Sequence, residues 1–369
     1  MWTTPALCWY NGRNKKWSTN TKLTSIEEVL AKLDKDTLKK FRMASDIERR
    51  FIPTPSLGLN LLLGGGFSRG HQTTLWGNES AGKSTFLLEM IGQNQQRDSN
   101  FSAAYLDTEK TLDPVWAKRL GCDTDKLIVG NQSTISETTD IIGKWIEAGI
   151  DLIVVDSLSN LMPKSFFGKD GEMKEFDKTG QIGQQARELG QMCRMIQGRN
   201  FETTIVFISQ VRLDLGVFIP GEKPSGGKEV GHLDSLRVKL TSSKSEAKAL
   251  KGEIQHGDIL IEEIIGRVVK WQINKNKING RYGVGEYNLI TQGERVGLEA
   301  GAELRDYGVL YGIVEKVGNS RFIINGESIH GKDNAANYII ENPDISEFLA
   351  GEIERVLTVH STPVESEDD

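Results

Sequence analysis

The chain has 369 residues, enough for one large domain or two to three smaller ones with a substantial core, and its composition excludes wholesale disorder. Lys and Arg number 45 against 51 Asp and Glu, and a net charge of -6 argues against a protein that coats nucleic acid through bulk charge. No apolar run reaches membrane-span length and no charged start leads into an apolar signal segment, so the expectation is a cytoplasmic protein with no membrane partner.

Residues 1–22 show no periodicity, with Trp2, Trp9, Tyr10 and Trp17 scattered among polar residues, and form an extension without an assigned role. From Ser25 the text changes. Ser25 and Glu28 have capping-box spacing, and Ile26, Val29, Leu30, Leu33, Leu38 and Phe41 supply a mostly helical apolar stripe, which predicts an amphipathic helix. Between Phe51 and Ile290 strands and helices alternate. Strands are predicted at Thr73 to Trp76, Ala103 to Leu106, Leu127 to Val129, Leu152 to Val155, Thr203 to Ile208, Leu236 to Thr241 and Val268 to Ile273. Helices are predicted at Lys83 to Gln96, Asp113 to Leu120, Ile135 to Ala148 and Gln181 to Gly198. Continuous apolar runs such as LIVVD and TTIVFIS indicate strands buried on both faces, hence an α/β fold with a mostly parallel sheet between helices. Two stretches, Lys164 to Gly180 and Val211 to Gly227, read as long loops. Residues from Thr291 to Leu357 form a short α/β module, and VESEDD closes the chain as an acidic tail. Cys8, Cys122 and Cys193 are far apart and the five histidines lack ligand spacing, so neither a disulfide framework nor a zinc site is expected.

Gly77 to Ser84 reads GNESAGKS, a complete G-x-x-x-x-G-K-[ST] phosphate loop between a predicted strand and a predicted helix. Such a turn exposes successive backbone N–H groups to phosphate oxygens, and the helix that follows presents its positive end. Gly77, Asn78, Glu79, Ser80, Ala81, Gly82, Lys83, Ser84 and Thr85 are therefore candidate nucleotide-binding residues, with Lys83 on the β and γ oxygens and Ser84 on Mg²⁺. Asp156 ends the apolar run LIVVD, where a carboxylate reaches the metal or its water shell. After the strand AAYLD, Glu109 is the candidate to orient the water attacking the γ-phosphate; it is preferred over Asp107, which could equally cap the next turn.

GNESAGKST, AYLDTEKTLDPVWAKRLG, LIVVDSLSNLMPK, GQQARELGQMCRM, TTIVFISQVR, the GG of PSGGKEV and the distant NKNKI occur in the order and approximate spacing of bacterial-type RecA recombinases. The resemblance runs from about Thr24 to Leu357. It implies a RecA-like phosphate-loop ATPase core, ATP and Mg²⁺ as cofactors, a homo-oligomeric helical filament on single-stranded DNA, and homologous pairing and strand exchange with double-stranded DNA. The implied domains are an extension at 1–22, an oligomerisation helix within 23–50, the ATPase core at 51–290, a small α/β domain at 291–358 and a tail at 359–369. DNA-facing loops fall near 174–183 and 211–227, where Arg187, Arg194, Arg212 and the backbone at Gly226 and Gly227 are expected to repeat along the strand, with Phe218 and Ile219 as wedges. By the same matching, Asp113 and Trp116 belong to the adenine-contacting segment, Gln210 reports the γ-phosphate to the mobile loop, and Lys275 and Lys277 reach ATP in the neighbouring subunit. Gly231 and His232 stand where the family has a basic and an aromatic residue, and Ser209 replaces a more frequent Asn. These departures mark a divergent member, for which a phage origin is one reading. Two other readings keep the ATPase core: a ring helicase, and a nucleotide-binding regulator without recombinase activity.

Overall fold

The structure, a computed structural model, describes residues 32, 34, 48–167, 181–214, 221–242, 249–256 and 259–361. The extension, the body of the helix expected from Ser25 to Phe41, residues 174–180, Phe218, Ile219 and the acidic tail lie outside those residues. The chain separates into the unit Met1–Glu48 and the unit Arg49–Asp369, and the second carries everything described below.

Its centre is one sheet, built in chain order from β3 (Gln72–Gly77), β4 (Ala103–Asp107), β5 (Leu127–Gly130), β6 (Leu152–Asp156), β7 (Thr204–Asp214), β9 (Leu236–Ser242), β11 (Ile259–Asn276), β12 (Val284–Ile290) and β13 (Gly297–Leu298). The spatial order is β13-β12-β11-β9-β3-β7-β6-β4-β5. From β9 to β5 neighbours are parallel, whereas β11, β12 and β13 add antiparallel strands to the β9 edge. A short pair, β1 (Phe51–Ile52) with β2 (Phe67–Ser68), precedes the sheet.

Alternation along the strands divides the core into two layers. Leu152 and Val154 of β6, with Val206 and Ile208 of β7, face Leu75, Phe86, Leu87 and Met90. Ile153, Val155, Ile205 and Phe207 face the opposite layer with Ile142, Leu189 and Met192. Both sides of each strand meet apolar neighbours, so these strands read as unbroken hydrophobic runs. The covering helices include α2 (Lys83–Arg97) on one face and α4 (Ile135–Glu147) with α5 (Gln181–Gln197) on the other. Thr134 caps the start of α4, its hydroxyl accepting from Glu137 N at 3.3 Å and donating to the Glu137 carboxylate at 2.8 Å.

Among the described residues of Val211 to Gly227, 211–214 and 221–224 form strands rather than the loop expected from the glycines and proline. Strand β7 continues through Asp214 and pairs antiparallel with β8 (Gly221–Pro224), Val211 opposite Pro224 and Asp214 opposite Gly221. The run VRLD continues the strand begun by TTIVFIS although only Val211 in it is β-branched; its pairing with the returning β8 extends it.

At the chain's end α7 (Ala300–Leu310), the small sheet β14 (Glu315–Val317), β15 (Arg321–Ile324) and β16 (Glu327–His330), α8 (Lys332–Glu341) and α9 (Pro343–Ser361) enclose a core of their own around Phe322, Ile324, Ile339 and Ile353. Leu57 and Leu61 of α1 (Leu57–Leu63) pack into it. The Glu303 carboxylate of α7 caps that helix, accepting from Ser56 Oγ at 2.7 Å and Leu57 N at 2.8 Å.

Candidate functional site

Strand β3 ends at Gly77, where a Cβ would strike the Leu240 carbonyl oxygen on neighbouring β9, so only glycine lets the turn leave the sheet there. Gly82, in the left-handed region at φ 84, caps α2 without a side-chain hydrogen bond. The first-turn N–H groups of a 15-residue helix are thus not capped by a side chain and are presented to an anion. Lys83, 8% exposed, donates to Gly77 O at 3.0 Å and Asn78 O at 2.7 Å. Burial lowers its pKa, and the carboxylates of Asp156, Glu109 and Glu79 oppose that shift.

Asp156, the last residue of β6, accepts from Ser84 Oγ at 2.6 Å and from Tyr105 OH at 2.6 Å. Burial raises its pKa while these two donors stabilise the anion. Tyr105 is a residue that the sequence reading passed over, because AAYLD counts simply as a buried strand. The available signal was chemical: a phenol enclosed in a core strand requires a partner for its hydroxyl. Next to this pair, Glu109 Oε1 accepts from Ser157 Oγ at 2.8 Å and Gln210 Nε2 at 3.2 Å. Asp107, the alternative acid, accepts from Leu112 N at 2.8 Å and so closes the turn that follows β4.

The sheet register explains this convergence. Asp107 lies opposite Asp156 and Gly77 lies opposite Gln210, so the phosphate loop, the metal-side acid, the water-side acid and the amide all emerge at the carboxyl end of adjacent parallel strands. Residues Glu79 to Thr85 line a cleft of about 330 Å³ together with Glu109, Asp156, Ile208 and Gln210. A helix N-terminus without a side-chain cap, a buried amine and a buried carboxylate beside a hydroxyl suit a nucleotide triphosphate with Mg²⁺. Asp113 and Trp116 do not line this cleft. Asp113 caps α3 (Pro114–Arg119) by accepting from Val115 N at 2.8 Å, and Trp116 is half-buried with the Arg119 guanidinium 5.6 Å from its ring centroid.

Lys275 and Lys277 lie on the far side of β9 from the phosphate loop, where β11 ends. Lys275 Nζ donates to Gly231 O at 2.5 Å and His232 O at 3.1 Å, and Lys277 Nζ donates to His232 O at 2.7 Å. These carbonyls belong to the last turn of α6 (Gly227–Leu233), whose negative end favours cations.

A second concavity, of about 470 Å³, is lined by Gln185, Ala186 and Leu189 of α5, by Arg212, Lys223 to Gly227, Gly231, His232 and Arg237. It brings together Arg212, Gly226 and Gly227 from the predicted set. Arg187 is exposed on α5 outside that lining, and Arg194 pairs with Glu229 at 3.2 Å. The base of the ribbon is tied to the nucleotide side: Ser225 N donates to Gln210 O at 3.0 Å, and the Ser225 hydroxyl bonds those of Ser209 at 2.9 Å and Ser159 at 2.6 Å. Ser209 therefore fills its buried position as a small hydrogen-bonding residue.

Comparison with known proteins points in the same direction. The family model described as the RecA N-terminal domain matches residues 20–294. The chain is 32% identical over 345 residues to Protein RecA of Acidothermus cellulolyticus, covering 91% of this chain and 93% of that protein. Protein RecA of Pseudomonas fluorescens is 33% identical over 323 residues, 85% of each chain. Protein RecA of Thioalkalivibrio sulfidiphilus is 32% identical over 359 residues, 96% of each.

Proposed function

This chain belongs to the RecA family of recombinases, DNA-dependent ATPases of homologous pairing and strand exchange, and on that premise we propose that it assembles as a helical filament on single-stranded DNA and hydrolyses ATP with Mg²⁺. The amides of the phosphate loop and Lys83 bind the triphosphate, Ser84 and Asp156 hold the metal side, and Tyr105 keeps Asp156 oriented and ionised. Mg²⁺, when bound, neutralises charge on the β and γ oxygens. Glu109 takes the proton of the attacking water, and Gln210 divides its amide between Glu109 and the γ-phosphate. Asp113 and Trp116 serve the adenine, Arg187, Arg194, Arg212, Gly226 and Gly227 serve DNA, and Lys275 with Lys277 act on the nucleotide of the adjacent subunit.

The observation that carries this reading is the position of Glu109, held by Ser157 and Gln210 beside a phosphate-loop lysine and the Ser84–Asp156 pair. It is tested by ATP hydrolysis measured with and without single-stranded DNA, alongside electron microscopy of the same mixtures. The reading requires DNA-stimulated turnover and open helical filaments. Closed rings, or turnover indifferent to DNA, contradict it.

A further inference from the structure

Asp234 is fully buried directly after α6. Its Oδ2 accepts from Thr74 Oγ1 of β3 at 2.9 Å and from Arg237 Nε of β9 at 2.8 Å, while Oδ1 has no hydrogen-bond partner among the described residues. An orphaned carboxylate oxygen in a core is costly, so its retention calls for a counterweight. Burial raises the pKa of Asp234, and the counterweight that favours its anion is the positive charge of Arg237, with the Thr74 hydrogen bond and Lys275 adding to it. Arg237 fits against Asp234 because Gly231 has no side chain: a Cβ at 231 would run into the Arg237 guanidinium. Lys275 and Lys277 meet the same corner through the carbonyls of Gly231 and His232. Three cations thus converge where α6 ends, and one buried anion lies among them.

We propose that Asp234 is a positioning residue for Lys275 and Lys277: its buried carboxylate offsets the charge of Arg237 and, with the negative end of α6, holds both lysine side chains adjacent on that helix. This rests on the reading of the two lysines as cations acting across the subunit interface. It also accounts for the two departures from the family pattern. Gly231 makes room for Arg237 and, with His232, supplies main-chain rather than side-chain contacts to the lysines.

The charges facing Lys275 are Lys277, Asp234 and Arg237, with the His232 ring exposed on α6. Burial is the largest influence, followed by Lys277; these and Arg237 bring Lys275 down to about 8, and the Asp234 carboxylate opposes them. The experiment is the pH profile of DNA-stimulated ATP hydrolysis by the full chain. Wild type should lose rate as pH rises through about 8. Asp234→Asn should move that limb down by about one pH unit, the lower end of what a nearby opposite charge contributes. Lys275→Arg, and Asp234→Asn combined with Lys275→Arg, should show no limb at all, because a guanidinium keeps its proton.

An Asp234→Asn profile that coincides with wild type, while Lys275→Arg removes the limb, overturns the role of Asp234 and leaves the lysine reading intact. A limb that persists in Lys275→Arg, or full hydrolysis by Lys275→Ala, overturns the lysine reading itself and the present inference with it. Should Asp234→Asn fail to fold, Arg237→Gln tests the same cluster with the opposite sign. Titrated through NMR signals of labelled lysine, Lys275 should then ionise at higher pH than in wild type, and an unchanged or lower value overturns the proposal.

Discussion

Gln210 Nε2 donates to Glu109 Oε1 across 3.2 Å, joining β7, the strand that leads into the β7–β8 ribbon, to the acid at the mouth of the cleft lined by the phosphate-loop residues. The amide nitrogen engaged in this bond is the group that would otherwise meet a γ-phosphate oxygen. Glu109→Gln keeps the shape and hydrogen-bonding capacity of the side chain but cannot accept a proton from water. Hydrolysis should fall about 10²-fold or more with ATP and DNA binding retained, the scale of lost acid–base assistance. Steady-state turnover with parallel binding titrations checks this, and near-normal turnover removes Glu109 from the mechanism.

Nucleotide binding should depend on two positions for different reasons. Lys83→Ala deletes the buried cation of the cleft, and Gly77→Ala drives a Cβ into the Leu240 carbonyl at the start of the loop. Both should abolish measurable ATP binding, and Gly77→Ala should also lower the thermal transition because the clash involves two core strands. Titration with a fluorescent ATP analogue, paired with thermal melts, separates the effects; tight binding by Gly77→Ala contradicts the close approach of β3 and β9.

Folding stability should decline with rising pH. Burial raises Glu89 from 4.5 to about 8 and Glu303 from 4.5 to about 7, and the buried Tyr287 hydroxyl, unpaired among the described residues, feels both carboxyls. A carboxyl with a folded pKa above its unfolded value stabilises the fold in its neutral form. That contribution is complete below about 4.5 and is lost as pH climbs through about 7 to 8. Thermal melts between acidic and alkaline pH should therefore show a falling transition, flattened in Glu89→Gln; equal slopes for the two proteins contradict the assignment.

Single-strand binding should lose salt dependence when Arg187, Arg194 and Arg212 are all changed to Ala, since fewer phosphate counterions are released per subunit. Arg194 already pairs with Glu229, so its share should be the smallest of the three. Binding isotherms across a salt series give the slope, and an unchanged slope places the DNA path elsewhere.

The parallel half of the sheet was legible because its strands are buried on both faces and its loops carry phosphate chemistry. Each of the seven predicted strands is present, as are the four helices predicted between them, with ends shifted by a residue or two in most cases. The antiparallel hairpin of β10 (Ala249–His256) with β11 was not legible. Its outer part has no buried face to impose a period of two: Ile259 and Leu260, neighbours in sequence and so on opposite faces, are 64% and 61% exposed. Short α1 was missed for a related reason, since Leu57 and Leu61 bury against a module some 250 residues later in the chain. In the site, motif spacing located Lys83, Ser84, Asp156 and Glu109. Tyr105 and Asp234 have their roles set by partners on other elements, which spacing along one strand does not reveal.

Mixing two defective proteins tests the shared site most directly. Lys275→Ala/Lys277→Ala protein retains Glu109 but lacks the lysines, whereas Glu109→Gln protein retains the lysines beside an impaired cleft of its own. Titrated together on single-stranded DNA, the mixture should hydrolyse ATP faster than either parent, because lysines of one protein then serve the intact cleft of the other. Mixtures that never exceed their parents under filament-forming conditions contradict action across the subunit interface.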